Sequence, residues 1–293
     1  MRGRFFTWLT GSDAGRLALR GGEAIREGRG RLAQLVERLL YTQDVGGSSP
    51  SPPTNRAKML PYADYLYPLG EGVTALVVMA TDLEYGAHLK ALGIKPLITG
   101  LGPVQAAMNL THALGELTRA HRRPDLILNL GSAGSSTLEQ GAVYRVSHSS
   151  YRDMDASAFG FPRGQTPFSP HPVTVQAPAV MPEFPCASCS TGANVISDHA
   201  STGADLADME YAALNEVAMK FGIALIGFKG ISDGARPLNG ELTEWTALLP
   251  VIDRNLAAAV NELLMRLGQG ELKKEDLLQM PPHWQPEHAG FEA

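Results

Sequence analysis

Only two cysteines, Cys186 and Cys189, occur in 293 residues. No disulfide framework can hold such a chain together, and nothing in it asks for an oxidising compartment. Long hydrophobic runs are missing as well. The longest near-continuous one, Val73–Ala80, is strand-sized, far short of the ~20 residues of a membrane helix. The first twenty residues are rich in arginine and hold no apolar stretch of the kind a secretory signal carries. The expectation is a cytoplasmic protein with no membrane partner. Metal-binding spacings are also lacking. Cys186-Ala-Ser-Cys189 has no second ligand pair, and His112, His121, His148 and His199 show no paired spacing, so neither metal nor cofactor is expected.

What is present is an ordinary globular composition, 44% hydrophobic and 19% charged, enough to build a large core. The net charge of −5 hides an asymmetry. Residues 1–58 hold ten Lys and Arg against five Asp and Glu, leaving a net −10 on the rest. A basic segment on an acidic body raises the idea of nucleic-acid contact. A different origin fits residues 30–54 better. Their back-translation can be written as a transfer-RNA gene: GGGCGGT at one end pairs with ACCGCCC at the other, CCTGC and GCAGG flank a valine anticodon loop, and GGTTCGA stands at the T loop. Translation starting at Met59 is therefore expected, and residues 1–58 are set aside as disordered or foreign to the native protein. An intact native mass beginning at Met1 would refute this. The expected domain spans 59–268, followed by a polar, proline-containing tail over 269–293.

Within the body, apolar runs alternate with helix-period segments. Val73–Ala80 reads as a strand buried on both faces, Asp125–Leu130 as another buried strand and Ile223–Ile231 as strand-like, with Pro96–Thr99 and Ala142–Ser147 as shorter strands. Asp82–Leu92 reads as a short helix. Pro103–His121 reads as a long one burying Val104, Ala107, Met108, Leu110 and Leu114. Asp205–Phe221, stopped by Gly222, and Thr243–Leu267 complete the helices. The pattern implies an α/β fold, a central mixed sheet flanked by helices on both faces. Ligands of such sheets bind at the carboxyl ends of strands. Residues 80–84, the turn Gly131–Gly134, Asp208-Met209-Glu210 and Ile231-Ser232-Asp233 all fall there, bringing carboxylates and a Gly/Ser segment to one edge.

Five segments, in order, carry a family resemblance: Thr99–Asn109 (TGLGPVQAAMN), Asn129–Gly134 (NLGSAG), Tyr151–Gln165, Asp208–Ala213 (DMEYAA) and Ile231–Asp233. The stretch from about Val73 to Leu267 resembles the purine nucleoside phosphorylase/nucleosidase superfamily, and methylthioadenosine/adenosylhomocysteine nucleosidases best. The resemblance implies a nucleoside phosphorylase-like fold and cleavage of a ribosyl C–N bond through an oxocarbenium-like state. It makes Asp233 the acid that protonates adenine N7, which requires a carboxyl protonated near neutral pH. Glu84 becomes the base for the attacking water, and Glu210 the acceptor of ribose hydroxyls, with Met209 against the sugar. Ser132 and Gly134 allow close approach to the ligand, and Val195 and Ile196 line the base site. Phe159 and Phe161 reach a neighbouring subunit's pocket, which implies a homodimer.

Some positions depart from that pattern. Val195 stands where an aromatic is usual, Ala193 replaces an acidic residue, Phe161 replaces a tyrosine, and 167–190 and 197–208 are short. Selectivity for the base and the 5′ group is therefore open. Phosphorolysis is the alternative to hydrolysis. It needs cationic donors, and Arg152 is the nearby candidate, whereas Asp82 and Glu84 repel phosphate. A non-catalytic nucleoside-binding protein is a third reading. Nucleic-acid binding is not supported by an acidic body without a basic stripe.

Overall fold

The computed structural model describes residues 62–169, 171–196, 202–234 and 241–280. The expectations for 1–58 and for the tail beyond 280 lie outside these residues. A hairpin opens the described chain, β1 (Leu66–Gly70) antiparallel to β2 (Val73–Met79). A 3-10 turn over Asp82–Glu84, helix α1 (Ala87–Ala91) and the short strand β3 (Leu97–Ile98) follow. Then come α2 (Pro103–Arg119), β4 (Leu126–Gly134), β5 (Val143–Tyr151), β6 (Val175–Gln176), β7 (Cys186–Thr191) and β8 (Leu206–Asp208). The chain continues through α3 (Tyr211–Phe221), β9 (Ala224–Asp233), α4 (Leu242–Thr246), α5 (Leu249–Gly268) and α6 (Lys274–Leu277).

All the strands join one mixed sheet, with helices on both faces as the alternating pattern implied. β2, β4 and β9 run parallel side by side, which sends three carboxyl ends to the same edge. β9 pairs with β5, β5 with β7, β7 with β8, and β8 returns to β4 through Gly134 and Ala207. The sheet thus closes on itself and carries Asp208 back to the end of β4.

Strand alternation splits the core in two. Ala75, Val77, Met79, Leu126, Leu128 and Leu130 face Ile252, Leu256, Val260 and Leu263 of α5. Leu76, Val78 and Ile127 face α2 and α3. Each of the Val, Leu, Ile and Met side chains among these, fully buried, contributes about 1.5–3 kcal/mol. Packing continues past α5, because Leu272 and Leu277 are buried against the same cluster as the helix.

Several elements differ from the sequence expectation. The face of α2 is rotated: Ala106, Leu110, Ala113, Leu114 and Leu117 are buried, while Val104 is 76% and Met108 56% exposed. Two alanines in the buried stripe let the helix lie close to the sheet, which turns the larger residues outward. Asp82–Leu92 is a 3-10 turn and a short helix, whose amides at Gly86, His88 and Leu89 are received by the Asp253 carboxylate at 3.1, 2.8 and 3.2 Å. Asp205–Phe221 divides into β8 and α3, since Leu206–Asp208 pairs with β7 before the helix begins. Thr243–Leu267 divides into α4 and α5, because Pro250 in the first turn of α5 has no N–H to continue an earlier helix. Gly131–Gly134 is the end of β4 rather than a turn. Among the described residues, no helix is long and apolar enough to cross a membrane.

Candidate active site

The chain leaves β2 through Thr81, whose hydroxyl oxygen receives the Leu83 amide at 3.4 Å and starts the 3-10 turn. That turn buries Glu84 beneath the end of β4, where only 5% of it is exposed. Its Oε1 receives both the backbone N–H and the hydroxyl of Ser132, at 2.7 and 2.6 Å. Its Oε2 is buried with no hydrogen-bond partner among the described residues. The carboxyl fits there because residue 131 is glycine: a Cβ at Gly131 would stand 3.2 Å from Oε2 and 3.3 Å from Oε1. Burial raises the Glu84 pKa, against the opposing pull of Lys229 and of the Ser132 hydrogen bonds.

Glu210 comes from the junction of β8 and α3 and is equally buried. Its Oε1 receives the Gly102 amide at 2.8 Å. Gly102 precedes α2 with φ of 88°, a backbone that favours glycine, and its amide has no partner in the helix. Burial, then the Asp208 charge, push the Glu210 pKa up to about 8, with Lys229 and the Gly102 amide opposing.

Beneath these two lies an ion pair, Lys229 Nζ to Asp208 Oδ2 at 2.9 Å, both side chains almost wholly enclosed. Asp208 also receives the Thr191 hydroxyl at 2.6 Å and the Tyr211 amide at 2.9 Å. Burial alone would raise its pKa, but Lys229 and these two donors outweigh it and hold the carboxyl below the usual value. Burial disfavours the Lys229 charge, yet Asp208, Glu210 and Glu84 outweigh it and keep the ammonium protonated.

Asp233 ends β9 opposite Gly134, half-buried, and its Oδ1 receives the Ser232 hydroxyl at 2.5 Å. Gly134 is where β8 and β9 both meet β4. Met209 is half-buried between Asp208 and Glu210. The structure therefore gathers Glu84, Ser132 and Glu210 over the ion pair and brings Asp233 two residues along from Ser132 in the β4 register. Val195 and Phe159 stand apart on the surface, 63% and 84% exposed. Ile196 and Phe161 are half-buried, and Phe161 lies edge-on to Phe168 at 5.3 Å. The segment bearing Val195 is clamped by Arg152, which donates to the carbonyls of Ser190, Gly192, Asn194 and Asp208 at 2.6, 3.2, 2.6 and 2.7 Å. Asp153 adds to the clamp by accepting the Ala193 amide at 2.6 Å.

Three residues of this cluster escaped the sequence reading. Lys229 was legible as a charge inside an otherwise apolar strand, which demands a partner. Asp208 was read only as part of a motif. Trp245, whose indole N–H donates to Ser132 Oγ at 2.8 Å, had no signal in the sequence. Among the described residues, no group of three His, Cys, Asp or Glu is placed to hold a metal ion.

No protein-family model matches the chain. Among solved structures, the chain is similar to the 5'-methylthioadenosine/S-adenosylhomocysteine nucleosidase of Helicobacter pylori, at 19% identity and TM-score 0.54, over 65% of this chain and 97% of that one. The nucleosidase of the same description from Neisseria meningitidis matches at 18% identity and TM-score 0.53, over 66% and 98%. A futalosine hydrolase mutant of Helicobacter pylori matches at 18% identity and TM-score 0.54, over 65% and 98%. The chain has the fold of these nucleosidases. In that fold, the edge holding Glu84, Ser132, Glu210 and Asp233 is the carboxyl edge of the parallel strands, where α/β sheets bind their ligands.

Proposed function

We propose that this chain is an N-ribosyl hydrolase of purine nucleosides, taking adenine thionucleosides such as methylthioadenosine or adenosylhomocysteine and releasing adenine. The observation that carries this reading is the Glu84 carboxyl, enclosed, held on one oxygen by Ser132 and without a partner on the other among the described residues. A carboxylate whose proton affinity is raised by burial is a stronger base, and its open oxygen is suited to a water molecule. As that water attaches to C1′, its proton passes to Glu84 and the bond to the base breaks. Asp233 supplies a proton to N7 of the departing adenine, which leaves neutral. Glu210 meets the ribose hydroxyls, and at a pKa of about 8 it can accept or donate toward them. Met209 packs on the sugar, Gly134 leaves room beside it, and Val195 and Ile196 border the base. Phe159 and Phe161 complete the pocket of a second copy in a homodimer. Cys186 and Cys189 are free thiols, which fits a reducing cytoplasm.

The site favours water over phosphate. Arg152 is engaged with four carbonyls and Lys229 with Asp208, so neither is presented to a phosphate, and two buried carboxyls would repel one. Adenine release from methylthioadenosine, measured with and without phosphate, tests the proposal. Equal release in both conditions is expected. Release only with phosphate would make the enzyme a phosphorylase, and tight binding without release would make it a nucleoside-binding protein.

A further inference from the structure

We propose that Trp245 is a positioning residue for the base: its indole N–H fixes the direction of the Ser132 hydroxyl, closing Glu84 Oε1 and leaving Oε2 to take the proton. Among the described residues, Ser132 Oγ has two hydrogen-bond partners, Glu84 Oε1 at 2.6 Å and Trp245 Nε1 at 2.8 Å. A hydroxyl carries one proton, and an indole nitrogen is a donor with no acceptor capacity. The Ser132 proton therefore points at Glu84, and the Ser132 oxygen receives the indole N–H. The Ser132 backbone amide reaches the same Oε1 at 2.7 Å. Two donors on one carboxylate oxygen are charge-assisted bonds, among the stronger kinds in proteins. A proton placed on Oε1 would displace one of them, whereas a proton on Oε2 displaces nothing, since that atom is buried and unpartnered among the described residues.

The tryptophan is suited to this task by its setting. α4 is a single short turn, and the Trp245 ring packs half-buried against the core cluster that lies under α5. Its N–H is thus aimed by the core and not by the loop around it. Without it, the Ser132 hydroxyl would be free to turn and to accept a hydrogen bond from protonated Glu84 instead of donating one. The assignment of Oε2 to the attacking water rests on the nucleosidase reading above, but the direction of the hydroxyl does not.

The test follows the Glu84 side-chain carboxyl by carbon NMR in the full-length chain, its signal assigned through Glu84→Gln. Wild type, Trp245→Phe, Ser132→Ala and the double variant are titrated. Trp245→Phe keeps an aromatic ring and removes only the donor; benzothienylalanine at 245, which keeps the fused ring and lacks the N–H, replaces it if that variant does not fold. Both single variants are expected to bind the Glu84 proton about threefold more tightly, a rise of about half a pH unit. The double variant is expected to shift no further than Ser132→Ala alone, since both act through one hydroxyl. An unchanged titration in Trp245→Phe, or shifts that add in the double variant, would overturn the proposal. In turnover, Trp245→Phe should lower kcat with KM nearly unchanged and raise the acidic limb of the pH profile by the same half unit. Expected NMR shifts in a wild type that cleaves no nucleoside would leave the hydroxyl relay standing and remove the nucleosidase reading. Cleavage with unmoved shifts would do the reverse.

Discussion

Three carboxyls and one ammonium share the buried edge of the sheet, and the protonation of each depends on the others. Glu210 has its pKa pushed up to about 8 by burial and by Asp208, against 4.5 in the unfolded chain. Below pH 4.5 it is protonated in both states, and the folded state incurs no penalty. Between 4.5 and 8 the folded chain retains a proton that the unfolded chain releases, so the stability this group supports at low pH is lost as pH rises toward 8. Asp208 acts with the opposite sign, its contribution disappearing as pH falls through its lowered pKa. Glu210→Gln preserves an acceptor for the Gly102 amide and abolishes the titration. The stability of wild type relative to Glu210→Gln, from urea unfolding at intervals between pH 5 and 8, should fall by on the order of a few kcal/mol. A constant difference across that range would show that Glu210 is ionised throughout. Of this group, Glu84 and Glu210 were legible in the sequence, as was the nearby Asp233, because each stands in a motif at a strand end. Lys229 was overlooked because the run ALIGFKGI was read for its apolar residues, although a buried ammonium cannot exist there unpaired. The Trp245 contact joins residues 113 positions apart and could be found only in three dimensions.

At the level of elements, the long strands β2, β4 and β9 were legible because their apolar runs outweigh the few polar residues they hold, Thr74, Asn129 and Lys229 among them. The shorter pieces were not. Leu206–Asp208 has helix-compatible residues and becomes a strand only because β7 and the end of β4 offer edges to pair with. The Val104 and Met108 stripe lost to one that mixes Ala106 and Ala113 with leucines, a choice made by the fit between helix and sheet that periodicity does not contain. β4 shows most directly how an element places chemistry, since Gly131 and Ser132 at its end are the floor and the hook for Glu84. Gly131 is not in the left-handed backbone region, so its constraint is space alone. In Gly131→Ala the added methyl would press on both Glu84 oxygens and lift the carboxyl off the Ser132 donors. The expected loss is ~10²-fold in kcat, the scale of a misplaced reacting group, with ~1–3 kcal/mol of stability. Turnover and a urea melt of the same preparation check both. Full activity would mean that Glu84 does not work from the position it occupies here.

The whole molecule leaves large apolar side chains on its surface: Val104 and Met108 at the start of α2, Phe159 and Phe168 in the segment after β5, and Val195 beyond β7. Exposed apolar side chains of this size, when they gather into a patch, mark a binding surface. The segment holding Phe159 and Phe161 is the one proposed above to complete a neighbouring subunit's pocket, and on that proposal a second copy of this chain would cover it. A stable pair of this kind buries roughly 1,200–2,000 Å² in all, with a few aromatic residues carrying most of the energy. Phe159, 84% exposed in the single chain, contributes little to the fold of its own subunit. Phe159→Ser should therefore leave the thermal midpoint of a monomer nearly unchanged while weakening association. Light scattering should give wild type twice the 31.3 kDa chain mass at micromolar concentration and the variant a mass that falls toward one chain on dilution. If Phe159 also completes the partner's pocket, the specific activity of the variant must fall at every concentration, and further where it dissociates. Wild type that scatters as a single chain and cleaves nucleosides at full rate would show that each subunit closes its own pocket, and Phe159 would then need another reason to face solvent.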